Sequence, residues 1–356
     1  MKMIPRFAER LMAWYRLHQR DLPWRNTRDP YRIWLSEVIL QQTRVAQGLA
    51  YYERFVKTYP TVHDLAKAPL EEVLRLWQGL GYYSRARNLY AAAQTISLQY
   101  GGCFPSNYEE LCKLKGVGEY TAAAIASFAF DEAVAVVDGN VFRVFARLYG
   151  LYDDISLTRT KSKFKALSEG HMPPKEAAIY NQAIMEFGAV QCTPQKPLCL
   201  TCPFRDDCYA ARHGKQQVLP VKTKKPVKRK RYLSYRFFLR KGKVWMQERT
   251  KKDIWRGLYE PACVEAATAA ALKQQLLEHP AALQWQQAQA VTQVRHLLTH
   301  QELYIDMGIV ILDGEVSLPD CLHSEGDWFA YDECDALPKP VVIAQYLEQH
   351  RHLLSS

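Results

Sequence analysis

Apolar residues recur at helical spacing through roughly the first 215 residues and at strand spacing after about residue 232. Residues 5–18 carry apolar side chains at Phe7, Leu11, Trp14, Tyr15 and Leu17, close to helical spacing, and RDLPWR at 20–25 breaks the pattern. Asp29 and Pro30 have the chemistry of an N-cap and a first helical residue, opening a helix over YRIWLSEVILQQTRV. Further helices are expected at about 44–57, 69–78 and 84–99. Ser106 and Glu109 form a capping-box pattern for a helix running to Leu114, and another begins near Glu119 through TAAAIASFAF. A short apolar run then leads into Asp138, Gly139 and Asn140 at the head of VFRVFARLYG. The final third predicts a hairpin of YLSYRFFLR, the turn KGK and VWMQERT, then a helix near 267–278 and strands around 291–312.

Three places resist this pattern. Glu37 shares its stripe with Ile33, Trp34, Leu40 and Gln41, where a lone carboxylate is costly and tends to take up a proton. An edge position or an arginine partner explains Glu37 as well. The turn LKGVGEYT at 114–121 joins two helices through Gly116, Val117 and Gly118, whose amides are expected to face outward at a helix N-terminus, where an anion is stabilised. A tight connection needs the same letters. GLGYYSRARN at 79–88 interleaves aromatics and arginines in a way that suits nucleic acid or ordinary helix-end packing. Asp138 alone reads as an N-cap.

The formal charge of +10 and pI near 9.0 fit a polyanionic partner. No run of about 18 apolar residues occurs, and the charged amphipathic start has no signal-peptide core, so a soluble, intracellular and cytoplasmic protein is expected. Four of the nine cysteines, Cys192, Cys199, Cys202 and Cys208, fall within 17 residues with spacing C-x6-C-x2-C-x5-C. A single C-x-x-C pair suits a zinc ribbon poorly, and four thiolates in so short a loop can wrap one [4Fe-4S] cluster. Cys103, Cys112, Cys263, Cys321 and Cys334 show no ligand spacing and are expected to be buried or inert.

SEVILQQT at 36–43, GLGYYSRARN, LKGVGEYTAAAI, VDGNVFRV at 137–144 and the cysteine loop occur in the order of the MutY family of adenine DNA glycosylases, in the helix-hairpin-helix superfamily, and the chain closely resembles it. The resemblance covers most of 1–215 and extends more weakly beyond. It implies a mainly α, two-lobed glycosylase region at 1–215 with the cluster loop at 192–208. A basic linker at 216–231 and an α+β Nudix-like domain at 232–356 follow. It further implies a monomer that binds double-stranded DNA and excises adenine opposite 8-oxoguanine or guanine. On this resemblance Glu37 protonates adenine N7 and Asp138, held charged by helix amides, stabilises the sugar cation, either as a counter-ion or through a covalent intermediate. Tyr120 orients Asp138, and Asn140 completes the catalytic set. Gln42 and Tyr82 wedge into the base stack, while Arg20, Trp24, Arg25, Leu40 and Gln182 line the adenine pocket.

Two rivals share parts of this pattern. An endonuclease III-like glycosylase/lyase needs a lysine just after the hairpin to attack C1′, and Tyr120 stands there. A non-catalytic damage-binding module has no need of both Glu37 and Asp138. Lys115 departs from the proline usual before the first hairpin glycine, loosening the turn while adding a cation. KTKKPVKRKR at 222–231 holds seven basic residues, as a solvated linker or as extra phosphate affinity. WRGLYEP resembles the turn before a Nudix helix, yet TAAALKQQLLEH lacks the metal-binding glutamates of the hydrolase box. In that domain RHLLTHQEL at 295–303 resembles the lesion-reading loop, assigning Leu298, Thr299 and His300 to 8-oxoguanine, with Leu-Thr where the family more often has Phe-Ser.

Overall fold

The computed structural model describes residues 3–223, 228–312 and 326–354; Cys321 and residues 224–227 of the expected linker lie outside them. By its own contacts the chain divides into two units, Met1–Lys67 with Asn88–Lys225, and Ala68–Arg87 with Pro226–Ser356. The helices run α1 (Phe7–His18), α2 (Pro30–Leu40), α3 (Val45–Thr58), α4 (Val62–Lys67), α5 (Leu70–Leu76) and α6 (Ser84–Gln99). They continue as α7 (Tyr108–Leu111), α8 (Glu119–Phe130), α9 (Gly139–Tyr149), α10 (Thr158–His171), α11 (Ala177–Glu186) and α12 (Tyr209–His213). Among the described residues no helix is long and apolar enough to cross a membrane.

In the first unit α8 lies at the centre: Thr121 to Ala129 are buried all round the helix, and its alanines let α2 and α11 pack closely against it. A second core joins Phe7 and Leu11 of α1 to Phe145 of α9, Tyr180 of α11, and Phe187 and Phe204 beyond it. Each fully buried side chain of this size contributes about 1.5–3 kcal/mol. Asp29 caps α2, its carboxylate accepting from the Tyr31 amide at 2.9 Å, with Pro30 in the first turn. The helix stops at Leu40, short of the predicted QQTRV extension, because the backbone leaves the helical region at Gln41 (ψ 113°) and then turns left-handed at Gln42 (φ 56°). The predicted capping box also shifts: Asn107, not Ser106, caps α7, accepting from the Glu110 amide at 2.9 Å.

The second unit is built on a mixed sheet of β1 (Arg229–Arg240), β2 (Lys243–Glu248), β3 (Tyr259–Glu260), β4 (Ala262–Ala266), β5 (Gln289–Leu297), β6 (Gln301–Ile311) and β7 (Gly326–Ala330). Its main path is β3-β2-β1-β6-β5, with β4 on β1 and β7 on β2. The long β1–β6 pair is parallel, from Arg229 opposite Gln301 to Leu239 opposite Ile311, and every other pair among the described residues is antiparallel. The predicted β1–β2 hairpin and the helix near 267–278 are present, the latter as α13 (Ala269–Glu278). The helices α14 (Ala282–Gln286), α15 (Tyr331–Ala336), α16 (Val341–Gln349) and α17 (Arg351–Leu354) are the other helices of this unit among the described residues.

Candidate active site and cluster loop

Glu37 projects from the buried face of α2, Tyr120 from the first turn of α8, and Asp138 and Asn140 from the head of α9. Arg20, Trp24 and Arg25 lie between α1 and α2, Leu40 ends α2, and Gln182 comes from α11. All nine line one cavity of about 650 Å³ in the first unit. That volume accommodates a nucleotide base with its sugar.

The two acids sit in different surroundings. Glu37 is 8% exposed, and among the described residues no cation forms an ion pair with it. Burial pushes its carboxyl up to about 7; a hydrogen bond from Tyr120 opposes this, the nearby Asp138 charge adds to it, and the more remote Arg25 charge opposes it. Such an acid holds a proton near neutrality and can release it. Asp138 is the N-cap of α9 and accepts from the amides of Asn140 (2.8 Å) and Val141 (2.9 Å) and from Asn140 Nδ2 (2.6 Å). Burial outweighs these bonds, so its carboxyl lies above the ordinary aspartate value and is not held low by the amides as the sequence suggests. Burial and both acids push the Tyr120 hydroxyl well above its usual range, so it stays protonated as a donor.

Glu186, at the end of α11, is a cavity residue the sequence reading missed. Its side chain is fully buried, yet Arg20 Nε (2.7 Å), Arg20 Nη2 (2.6 Å) and Arg25 Nη2 (2.7 Å) all donate to it. Burial acts to raise this carboxyl, and the two arginines overcome it, bringing it down to about 2. Its signal was available, since Glu186 stands among Ile184, Met185 and Phe187 much as Glu37 stands on its stripe. Two of the remaining predicted pocket side chains are also anchored: Gln182 Oε1 accepts from the Tyr15 hydroxyl at 2.8 Å, and Trp24 meets Tyr52 edge-on at 5.1 Å.

In the hairpin, Gly116 has φ +76°, and a Cβ there would lie 2.5 Å from Asn88 Cβ. Gly118 caps α8 with nothing within 4 Å of its missing Cβ, so it leaves open space at the helix N-terminus. Val117 is buried and donates its amide to the Leu114 carbonyl at 3.1 Å, so that amide closes the turn and does not face outward as expected.

Cys192, Cys199, Cys202 and Cys208 line a separate small cavity walled by Leu148, Phe187, Pro197 and Leu198. Among the described residues no three Cys, His, Asp or Glu side chains are grouped to hold a single metal ion. Four thiols around an apolar cavity, with N–H donors from Arg147 Nη1 and the Phe204 amide on the sulfurs of Cys192 and Cys202 (both 3.4 Å), suit an iron-sulfur cluster. Arg143 of α9 donates to Asn140 Oδ1 (2.7 Å) and to the carbonyls of Gly188 (2.7 Å) and Cys192 (2.8 Å), tying the head of α9 to the start of the loop.

In the second unit Tyr82 is exposed and left-handed (φ 50°), and Gln42 of the first unit shares that conformation (φ 56°). Such strain in non-glycine residues concentrates at functional positions. The Tyr82 hydroxyl donates to Thr299 Oγ1, so this predicted wedge meets the predicted lesion turn. Thr299 and His300 form the exposed corner between β5 and β6, and Leu298 is half-buried beside them.

Residues 35–169 match the HhH-GPD superfamily of base excision DNA repair proteins, 192–208 match the iron-sulfur binding domain of endonuclease III, and 235–349 match the NUDIX domain. The structure is similar to a thermostable thymine-DNA glycosylase (31% identity, TM-score 0.54, 58% of this chain and 95% of that one). It is also similar to endonuclease III in a non-covalent complex with DNA (26%, TM-score 0.51, 59% and 95%). Fold and site thus define a helix-hairpin-helix base excision repair protein with an iron-sulfur module and a Nudix-like domain. Among named relatives, an adenine DNA glycosylase of Buchnera aphidicola subsp. Baizongia pistaciae is 30% identical over 94% of both chains. That of Buchnera aphidicola subsp. Schizaphis graminum is 33% identical over 71% of this chain and 73% of its own. The chain belongs to the adenine DNA glycosylase family. Against the Mus musculus member (44% identity) the match covers 60% of this chain and 44% of the relative, so the chain spans less than half of that longer protein.

Proposed function

We propose that the chain hydrolyses the N-glycosidic bond of an adenine nucleotide flipped out of duplex DNA, opposite 8-oxoguanine and also opposite guanine. The observation that carries this reading is Glu37, a buried acid with a carboxyl near 7 and no ion-paired cation, facing the same cavity as Asp138. Adenine is a poor leaving group until protonated, and the C1′ it leaves behind develops positive charge. Glu37 gives its proton to adenine N7 as the C1′–N9 bond breaks, and Asp138 stabilises the sugar cation. Water then adds to C1′, its proton goes to a carboxylate, and an abasic site and free adenine result. Tyr120 holds Glu37 through its hydroxyl, and Asn140 holds Asp138. Tyr120 offers no amine to C1′, which supports a glycosylase without lyase activity.

Arg20, Trp24, Arg25, Leu40 and Gln182 form the base pocket, and Glu186 fixes the two arginines. Gln42 and Tyr82 fill the gap in the stack, and Gly116 and Gly118 let the hairpin approach a phosphate. Leu298, Thr299 and His300 read 8-oxoguanine. Cys192, Cys199, Cys202 and Cys208 would hold a [4Fe-4S] cluster, which would tie the two ends of the loop together.

The test is Glu37→Gln on duplexes with A opposite 8-oxoguanine. Duplex binding should persist within a few-fold, while single-turnover adenine release falls by roughly 10²–10⁴. Near-normal release would sink the assignment.

A further inference from the structure

On the face of β1 that carries Leu233, Tyr235 and Phe237, the buried position nearest the 298–300 turn is Arg231, two residues beyond the exposed Arg229. Its side chain is 5% exposed and its guanidinium reaches three acceptors: Glu265 at 2.8 Å through Nε, Asp253 at 2.8 Å through Nη2, and Gln301 Oε1 at 2.9 Å through Nη1. The two acids are shared with Arg249, which donates to Asp253 at 2.9 Å, to Glu265 at 3.1 Å and to Glu260 at 2.8 Å. Asp253 also accepts from the Trp255 amide at 3.3 Å, and the Trp255 ring lies 6.3 Å from His296 of β5. The turn itself is closed by the Leu298 amide on the Gln301 carbonyl and the Arg229 amide on the His300 carbonyl, both 2.9 Å.

A buried ionic network adds little stability over apolar packing, and the same sheet face is otherwise filled by Leu233, Phe237, Leu303 and Ile305. What such a network supplies is fixed geometry, because a planar guanidinium with three acceptors has few alternative poses. One arm of this network leaves the ionic cluster and ends on Gln301, the residue that closes the turn.

We propose that Arg231 and Gln301 are positioning residues for lesion discrimination, holding Thr299 and His300 at the height and angle from which they meet the base opposite adenine. The inference rests on reading 298–300 as the lesion-contacting turn. Gln301→Leu removes the acceptor and leaves the ion pairs, whereas Gln301→Glu keeps an acceptor on the same guanidinium. Arg231→Lys retains the buried charge and loses the fork.

The readout is the ratio of kcat/KM for A:8-oxoguanine to that for A:G, with the double variant T299A/H300A as reference. The reference should lower the ratio. Gln301→Leu and Arg231→Lys should lower it about tenfold through slower A:8-oxoguanine excision at unchanged A:G rate, and Gln301→Glu should stay near wild type. If the reference lowers the ratio and Gln301→Leu leaves it intact, the positioning role is overturned while the turn's reading stands. If the reference itself leaves the ratio unchanged, the turn is misread and the inference falls with it. Equal losses on both substrates, with a lowered Tm, would mark a structural role only and also overturn it.

Discussion

The cavity of the first unit and the turn end of the sheet in the second both bury carboxylates, and they treat them in opposite ways. Asp253 and Glu265 face burial that would raise them, and Arg231 and Arg249 overcome it, holding both below the ordinary range. Glu260, deeper in that cluster, is still raised by burial despite Arg249. Within the cavity Glu186 follows the paired pattern with Arg20 and Arg25, whereas Glu37 receives only the Tyr120 hydroxyl and a remote arginine. Burial alone does not mark a chemical group; Glu37 stands out because it is buried without an ion-paired cation among the described residues and its carboxyl is pushed up to about 7.

The comparison can be broken by neutralising one charge at a time. The largest effect on stability is expected for Arg249→Met, which leaves Asp253, Glu260 and Glu265 short of a cation and should cost about 3–5 kcal/mol in urea unfolding. A loss below about 1 kcal/mol would show that those acids do not depend on it. Glu37→Gln should act with the opposite sign. The folded carboxyl is raised from 4.5 to about 7, so its stabilising contribution is full below the unfolded value and is lost as pH rises through the folded one. At pH 8 the wild type carries a buried unpaired charge, and the amide should be more stable by up to about 3 kcal/mol, with no gain at pH 4. Equal stabilities at pH 8 would contradict the unpaired state. A smaller cost, about 1–3 kcal/mol, is expected for Gly116→Ala from its left-handed backbone and the contact with Asn88, against little change for Gly118→Ala. Comparable Tm losses for both would remove the distinction between a turn glycine and one that leaves room for a ligand.

Much of the site is legible in the sequence because its parts violate local rules: an acid on an apolar stripe, two glycines in three residues, four cysteines in a short loop. Gly-x-Gly and C-x6-C-x2-C-x5-C are local patterns, and their geometry follows from spacing. Other parts depend on distant residues. Glu186 meets Arg20 and Arg25 more than 160 positions away, and nothing local to MEFGAV names those partners. The end of α2 is hidden because QQT contains no helix breaker, and the turn arises from an extended ψ at Gln41 followed by the left-handed Gln42. Grouping of residues 68–87 with the C-terminal unit rests on long-range contacts such as Tyr259 with Glu71 at 3.2 Å and Lys339 with Gln78 at 3.3 Å. The Val117 amide is spent inside the turn, a choice of hydrogen-bond partner that the letters GVG leave open.

The central claim is that Glu37 delivers the proton because burial without an ion-paired cation sets its carboxyl near 7. The direct measurement is the pH dependence of kcat/KM for adenine excision from A:8-oxoguanine duplex, which reports groups of the free enzyme. A tenfold fall per pH unit, beginning near pH 7, is expected, and that limb should be absent in Glu37→Gln. A profile flat from pH 6 to 9, or a falling limb retained in Glu37→Gln, would contradict the account.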